Sequence, residues 1–156
     1  NYDGVLYIIF EYSSMLVAIN ENGIEFITNG PDKILNPDPR EGSGYSLPTM
    51  GKHPEGARDV TVDDNFIYVV FSGKNVSRFE QMRYSFNFDV LIDKIKHSKR
   101  LWVFDKDSGV FIKEIELPIS ARAFKVLGKN AYLLNTIDNE PKVIKYELTE
   151  ELLSVD

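Results

Sequence analysis

Cysteine is absent from this sequence of 156 residues, and histidine occurs only twice. The lack of cysteine excludes a disulfide scaffold, a thiolate metal site and a cysteine nucleophile. The two histidines, His53 and His97, lie far apart, and neither belongs to a spacing typical of zinc sites. Glycine-rich phosphate cradles and the Gly-x-Ser-x-Gly elbow of serine hydrolases are also missing. The sequence therefore favours a protein without catalytic activity, metal or cofactor.

Long apolar segments are missing as well, because the apolar runs extend over only a few residues. We therefore expect no transmembrane segment in this chain. Hydrophobic residues nevertheless make up 43% of the sequence and charged residues 27%. This balance is typical of a folded globular domain and not of a disordered chain.

Short segments rich in β-branched and aromatic residues recur along the chain, for example FIYVVFS and RLWVFD. Turns rich in Asn, Asp and Gly separate them, such as residues 20–23 and residues 105–109. Strand-like segments joined by two to four turn residues indicate antiparallel hairpins. The sequence therefore predicts an all-β protein.

These strand-like segments also repeat. Residues 56–73 match residues 120–137 at a constant offset of 64, and residues 16–27 resemble residues 101–112. A unit of strand, turn, strand, connection, strand, turn and strand at about 40–45 residues is typical of a β-propeller blade. We therefore predict β-propeller blades built as four-stranded antiparallel sheets, of which the first is incomplete and the last stops after about three strands.

The predicted domain organisation is one partial propeller domain over residues 1–156. It comprises a blade at 1–29, an inter-blade insertion at 30–55, a blade at 56–117 with an insertion at 74–99, and a blade at 118–156. A propeller typically needs 4–8 blades. Because a strand-like segment also follows Asn1 almost at once, we expect the remaining blades to come from upstream sequence or from another chain.

The C-terminal third of the chain resembles the last blades of six-bladed, TolB-like (NHL-like) β-propellers. The resemblance rests on these residues: Phe104-Asp105, Gly109, Leu117, Ala121, Tyr132 and Lys145-Tyr146-Glu147-Leu148. It implies roughly half of a six-bladed propeller and a periplasmic or cell-envelope location, many such proteins being predicted lipoproteins. The insertion at 74–99 departs from the pattern of that family. Blade signatures specify the fold better than the function.

Two arginines at matching repeat positions, Arg58 and Arg122, are the predicted ligand-binding residues. Each lies at the start of the strand that is innermost in a propeller blade and borders the central channel. Repeated cations at one channel mouth would favour an anionic ligand. The alternative is that each arginine pairs with a neighbouring acid such as Asp59 or Glu55.

Charge is distributed unevenly along the chain, whose net charge is −6. Residues 74–100 carry a net charge of +4, whereas residues 1–73 carry −7 and residues 101–156 carry −3. The predicted partner-binding residues lie in this basic segment: Arg78, Arg83, Tyr84 and Phe86. Basic and aromatic residues together can bind single-stranded nucleic acid. Alternating aromatics and an acidic remainder instead favour a flap or a protein-docking surface, so no nucleic acid is expected.

The sequence thus predicts a non-catalytic binding or scaffold module that recognises a protein or a small anionic ligand through the channel mouth and the insertions. The alternative is a calcium-dependent propeller hydrolase of the lactonase or glycosidase kind. Its candidate carboxylates are Glu11, Asp59, Asp63 and Asp64. The turn Asp105-x-Asp107-x-Gly109 also suits calcium in its residue types, but such turns are commonly plain hairpins.

Overall fold

The structure, a computed structural model, describes residues 2–10, 13–32, 56–74, 79, 82, 98–121, 123–137 and 140–149. Its secondary-structure elements are ten β-strands, which confirms the prediction of an all-β fold. The strands are β1 (Leu6–Ile9), β2 (Met15–Asn20), β3 (Gly23–Asn29), β4 (Ala57–Val62), β5 (Phe66–Phe71), β6 (Ser98–Asp105), β7 (Phe111–Ala121), β8 (Ala123–Leu127), β9 (Asn130–Ile137) and β10 (Glu140–Glu147).

The strands form three sheets that follow the order of the chain. The first sheet contains β1, β2 and β3, the middle sheet β4 to β7, and the third sheet β8, β9 and β10. Every strand pairs antiparallel with its neighbour in sequence, so each sheet is a simple meander. This arrangement is compatible with consecutive propeller blades.

The strand registers reproduce the internal repeat of the sequence. Thr61 pairs with Tyr68 in the middle sheet, and Lys125 pairs with Tyr132 in the third sheet. Both members of the second pair lie 64 positions after those of the first. The match between residues 56–73 and residues 120–137 therefore reflects the same strand pairing in both sheets, and not only a similar composition.

The first and middle sheets are related in the same way. Leu6 pairs with Ile19 between β1 and β2, and Ile67 pairs with Phe104 between β5 and β6. These residues occupy the positions that the sequence match assigns to each other. β1, β2 and β3 thus correspond to β5, β6 and β7.

The middle sheet is buried on both faces. Ile67, Val69 and Phe71 of β5 pack toward the first sheet, and Tyr68 and Val70 pack toward the third. Successive side chains of a strand point to opposite faces, so an uninterrupted apolar strand suits a sheet that is covered on both sides. The two apolar clusters hold the three sheets in a face-to-face stack.

The first strands of the middle and third sheets are also joined by hydrogen bonds. Oδ2 of Asp59 on β4 accepts from the backbone N–H of Phe124 on β8 at 2.7 Å. Oγ1 of Thr61 accepts from the backbone N–H of Val126 at 3.4 Å. These bonds fix the lateral position of β8 against β4, which nonspecific apolar packing would leave loose.

Two strands cross the limits expected for the second blade. β6 begins at Ser98, inside the predicted insertion at 74–99, and β7 ends at Ala121, beyond the predicted blade limit at 117. Ser98 is held there because its hydroxyl donates to the carbonyl oxygen of Phe71. The domain limits themselves stay a prediction.

Candidate functional site

Both insertions leave the sheets on the same side of the molecule. β4 begins at Ala57, β5 ends at Phe71 and β6 begins at Ser98, and Ala57 pairs with Phe71 in the sheet. The first insertion leads into β4, and the second connects β5 to β6. We call this side the insertion edge. Residues 33–55 lie outside the described residues, as do residues 75–97 apart from Phe79 and Met82.

Arg100 on β6 lies between the stems of the two insertions. Its guanidinium contacts Asp32 in a bidentate way, with Nη1 to Oδ2 at 2.7 Å and Nη2 to Oδ1 at 3.0 Å. Nη2 also donates to Oε2 of Glu114 on β7 at 2.6 Å. Hydrogen bonds to Asp32 and then to Glu114 raise the pKa of Arg100, and the bond from Arg100 lowers the pKa of Glu114. This cation is therefore fixed by two carboxylates.

An aromatic platform supports the guanidinium. The rings of Phe71 and Trp102 stack with their centroids 3.6 Å apart, and Cζ of Arg100 lies 5.1 Å and 5.6 Å from the two ring centroids. Nε1 of Trp102 donates to Oε2 of Glu114 at 2.7 Å. The chain crosses this platform at Gly30, where a Cβ atom would overlap the Trp102 ring. Only glycine therefore fits at this position. The first stem is therefore seated on the aromatic platform.

The second stem passes beside the same guanidinium. Gly73 has a φ of 62°, and a Cβ at this position would lie 2.7 Å from Nη1 of Arg100 and 3.5 Å from Oδ2 of Asp32. Glycine therefore satisfies both the left-handed backbone and the close approach. The stems of the two insertions lie side by side across one ion pair. No local pattern in the sequence connects Asp32 with Arg100, so this arrangement was not predicted.

Arg58, a predicted ligand-binding residue, lies near the insertion edge on β4. The pairing of β4 with β5 shifts between Ala57 and Asp59, so Arg58 is the extra residue of a β-bulge. Its side chain is half-buried, with a buried Nε. Bulges commonly re-aim a side chain at the end of a strand.

The other predicted site residues lie outside the described residues. They are Arg122, Arg78, Arg83, Tyr84 and Phe86, together with the two histidines His53 and His97. The convergence of Arg58 and Arg122 at one channel mouth therefore stays a prediction, as does the partner-binding role of the basic insertion.

Asp59, a candidate carboxylate of the alternative enzyme, takes part in the packing of two sheets. Besides its bond from Phe124, its Oδ1 accepts from the backbone N–H of Val60 at 2.9 Å. Burial raises the pKa of Asp59, and the two backbone bonds oppose that shift. Both carboxylate oxygens thus have structural partners within the protein.

Asp63 and Asp64 support the turn between β4 and β5. Oδ1 of Asp63 accepts from the backbone N–H of Phe66 at 2.8 Å, and its Oδ2 accepts from the hydroxyl of Tyr68 at 2.8 Å. Oδ1 of Asp64 accepts from the hydroxyl of Tyr2, a bond that raises the pKa of Tyr2 to about 12. The fourth candidate, Glu11, lies outside the described residues.

The acidic turn before β7 is a hairpin turn. Oδ1 of Asp105 accepts from the backbone N–H of Ser108 at 2.8 Å and from its hydroxyl at 2.6 Å, which lowers the pKa of Asp105. Gly109 has a φ of 68°, the left-handed conformation that such a turn requires. Within the described residues, no three His, Cys, Asp or Glu side chains are grouped so as to hold a metal ion.

A cleft of about 870 Å³ opens at the opposite edge, between the β4–β5 and β8–β9 turns. Its walls include Phe66 and Leu127, with Asp64, Lys125 and Lys129 at the polar positions. Concave sites with apolar walls and a few polar groups are the usual form of ligand sites. This cleft was not predicted from the sequence. The 64-residue repeat could have indicated it, because the repeat places the β4–β5 and β8–β9 turns at equivalent positions of two neighbouring sheets.

Within the described residues, no helix is long and apolar enough to cross a membrane.

Comparison with known proteins yields no family for this chain. A scan against protein-family models, a search of curated proteins and a search of solved structures each give no match.

Proposed function

We propose that this protein is a non-catalytic binding or scaffold module of the β-propeller type, in which three blade-like sheets present two neighbouring insertions. The observation that carries this proposal is the contact between Asp32 and Arg100, with Gly73 beside it. A stacked set of sheets is rigid, whereas long insertions on such a scaffold commonly carry the binding residues. Joining the two stems gives both insertions a common base.

The charge of the second insertion indicates the class of partner. Residues 74–100 carry a net charge of +4 on a chain whose net charge is −6. Within this segment Arg100 is neutralised by Asp32 and Glu114. The other basic residues of the segment include Arg78 and Arg83, the predicted contact residues. Arg58 adds a cation near the same edge. An acidic protein surface or a small anion therefore fits the insertion edge.

The calcium-dependent hydrolase has weaker support. Asp59, Asp63 and Asp64 each accept hydrogen bonds that hold a turn or a neighbouring strand. A metal ion at these carboxylates would compete with those bonds. The periplasmic or cell-envelope location remains a proposal that rests on the resemblance to TolB-like propellers.

Two probes test the proposal, a fluorescent polyglutamate peptide for an acidic protein surface and inorganic phosphate for a small anion. The double variant Arg78→Glu/Arg83→Glu is compared with Lys106→Glu/Lys145→Glu, which changes the net charge equally at two positions away from the insertion edge and outside the cleft. We expect polyglutamate affinity to fall about tenfold or more in the first variant, and less than about twofold in the control. Phosphate as the better ligand would identify a small-anion site.

Equal losses in both variants would indicate nonspecific charge attraction, and no binding of either probe would contradict an anionic partner. A further variant replaces residues 75–97 by a short Gly-Ser turn. If the protein is a binding module, we expect the melting temperature of this variant to stay close to that of the parent while anion binding is lost.

A further inference from the structure

The first sheet has a face that no other sheet covers in the described structure. Its side chains are aliphatic: Leu6, Ile24 and Ile27 are 48%, 61% and 57% exposed. Ile8 and Ile19, on the same face, are half-buried. Monomeric soluble proteins rarely expose contiguous apolar surface of this kind, and such patches commonly mark interfaces. We call it the upstream face.

The middle sheet shows what covers such a face. Ile67 and Phe104 occupy the repeat positions of Leu6 and Ile19, and they are 0% and 1% exposed because the first sheet packs on them. The upstream face therefore retains the apolar residues of an inter-sheet contact. Among the described residues there is no further sheet that packs on it.

The third sheet exposes the matching half. Leu134 and Val143 pair between β9 and β10 and are 37% and 67% exposed. They correspond to Val70 and Leu101, which pair between β5 and β6 and are buried against the third sheet. We call this outer side of the third sheet the downstream face. It is equivalent to the face of the first sheet that packs on the middle sheet. It is also equivalent to the face of the middle sheet that packs on the third sheet.

We propose that the downstream face of one chain packs on the upstream face of a second copy. This contact would continue an existing type of interface. Residues at the same repeat positions already meet twice within the chain, between the first and middle sheets and between the middle and third sheets. Such a contact is heterologous, and it closes into a ring when the rotation between units allows it. Two copies supply six stacked sheets, a number within the usual range for closed propellers. The proposal does not depend on what the insertions bind.

Sedimentation of the full chain at about 1 to 200 µM tests this proposal, because association depends on concentration by mass action. We expect a dimer that dissociates on dilution. Ile27→Asp on the upstream face and Val143→Asp on the downstream face should each give a monomer at all these concentrations. The control is Val110→Asp, which introduces the same charge at an apolar residue that is 60% exposed in a turn of the middle sheet. It should leave the dimer unchanged.

Mixing the two monomeric variants distinguishes the head-to-tail contact from a symmetric one. Each variant keeps one intact face, so an equimolar mixture should again form dimers, through one interface. Both substitutions introduce the same charge, so the recovery cannot arise from an ion pair between them. A parent chain that is monomeric at every concentration would overturn the proposal. A mixture that stays monomeric, or a control that dissociates equally, would also overturn it.

Discussion

Asp32 and Arg100 are 68 positions apart in the chain and form a bidentate ion pair across the bases of the two insertions. Asp32 follows the first sheet, whereas Arg100 belongs to the middle sheet. The pair therefore ties two sheets together at the place where the chain leaves them. We therefore expect the pair to contribute to the stability of the fold, whereas the proposed partner contacts would come from the insertions.

Replacing Arg100 by methionine removes the charge and keeps an apolar stem over the rings of Phe71 and Trp102. We expect the free energy of unfolding to fall by about 1–2 kcal/mol, because Asp32 and Glu114 lose a charged donor. Urea denaturation followed by the fluorescence of Trp102 measures the loss. Lys99→Met, at the exposed neighbouring position on β6, should change stability by less than about 0.5 kcal/mol. Equal effects of the two substitutions would contradict a specific role for the ion pair.

Asp59 should stabilise the contact between the middle and third sheets through a hydrogen bond and not through its charge. Asp59→Ala leaves the N–H of Phe124 without its acceptor, and we expect a loss of about 1–3 kcal/mol in unfolding free energy. Asp59→Asn keeps one acceptor oxygen, whereas Asp59 accepts from both Val60 and Phe124. Its amide NH2 cannot accept from the second N–H, so we expect it to recover only part of this loss. Asp107→Ala, in an exposed turn, serves as the control. An alanine variant as stable as the Asp107→Ala control would contradict this role of Asp59.

Acid should weaken the network around Glu114. Its pKa is lowered in the folded protein from the ordinary value of 4.5, first by the hydrogen bond from Arg100. The folded state therefore gains stability from ionised Glu114 above pH 4.5 and loses it as the pH falls through the lower folded pKa. We expect the stability difference between the parent and Glu114→Gln to be largest near neutral pH and to shrink in acid. Urea denaturation from about pH 7 to 3 measures it, and a difference independent of pH would be inconsistent with this linkage.

Calcium should not stabilise the fold if the protein is a binding module without a metal centre. A metal ion that binds the folded chain raises the melting temperature by mass action. With Asp59, Asp63 and Asp64 occupied by internal hydrogen bonds, we expect a shift of less than about 1 °C in millimolar calcium, with magnesium as the control. A calcium-specific rise of several degrees would favour the hydrolase instead.

Much of the fold could be predicted from the sequence because its pattern is local and repeated. The β-branched and aromatic segment FIYVVF and the Asn-Asp-Gly turns indicate hairpins, and the 64-residue offset anticipates the pairing of Thr61 with Tyr68 and of Lys125 with Tyr132. The Asp105 turn also forms as its residues suggest. In each case neighbouring backbone groups satisfy one another within about ten residues, so short segments carry the information.

The site was far less predictable. Arg58 was singled out from the repeat, and the structure adds that it occupies a β-bulge near the insertion edge. The ion pair of Arg100 and the cleft beside Asp64 were missed, because each joins side chains whose positions depend on how two sheets pack. A surface charge has many potential partners in a sequence, and no periodicity selects one of them.

The sequence by itself determined the all-β class, the strand order and the equivalence of the sheets, since alternating side chains and turn residues act over short distances. The tertiary structure alone decided that the two insertion stems meet at Arg100 and that Asp59 supports a neighbouring sheet. It also decided that, among the described residues, the outer faces of the first and third sheets expose apolar side chains. These features depend on the face-to-face packing of the sheets, which brings together residues that the chain keeps more than sixty positions apart.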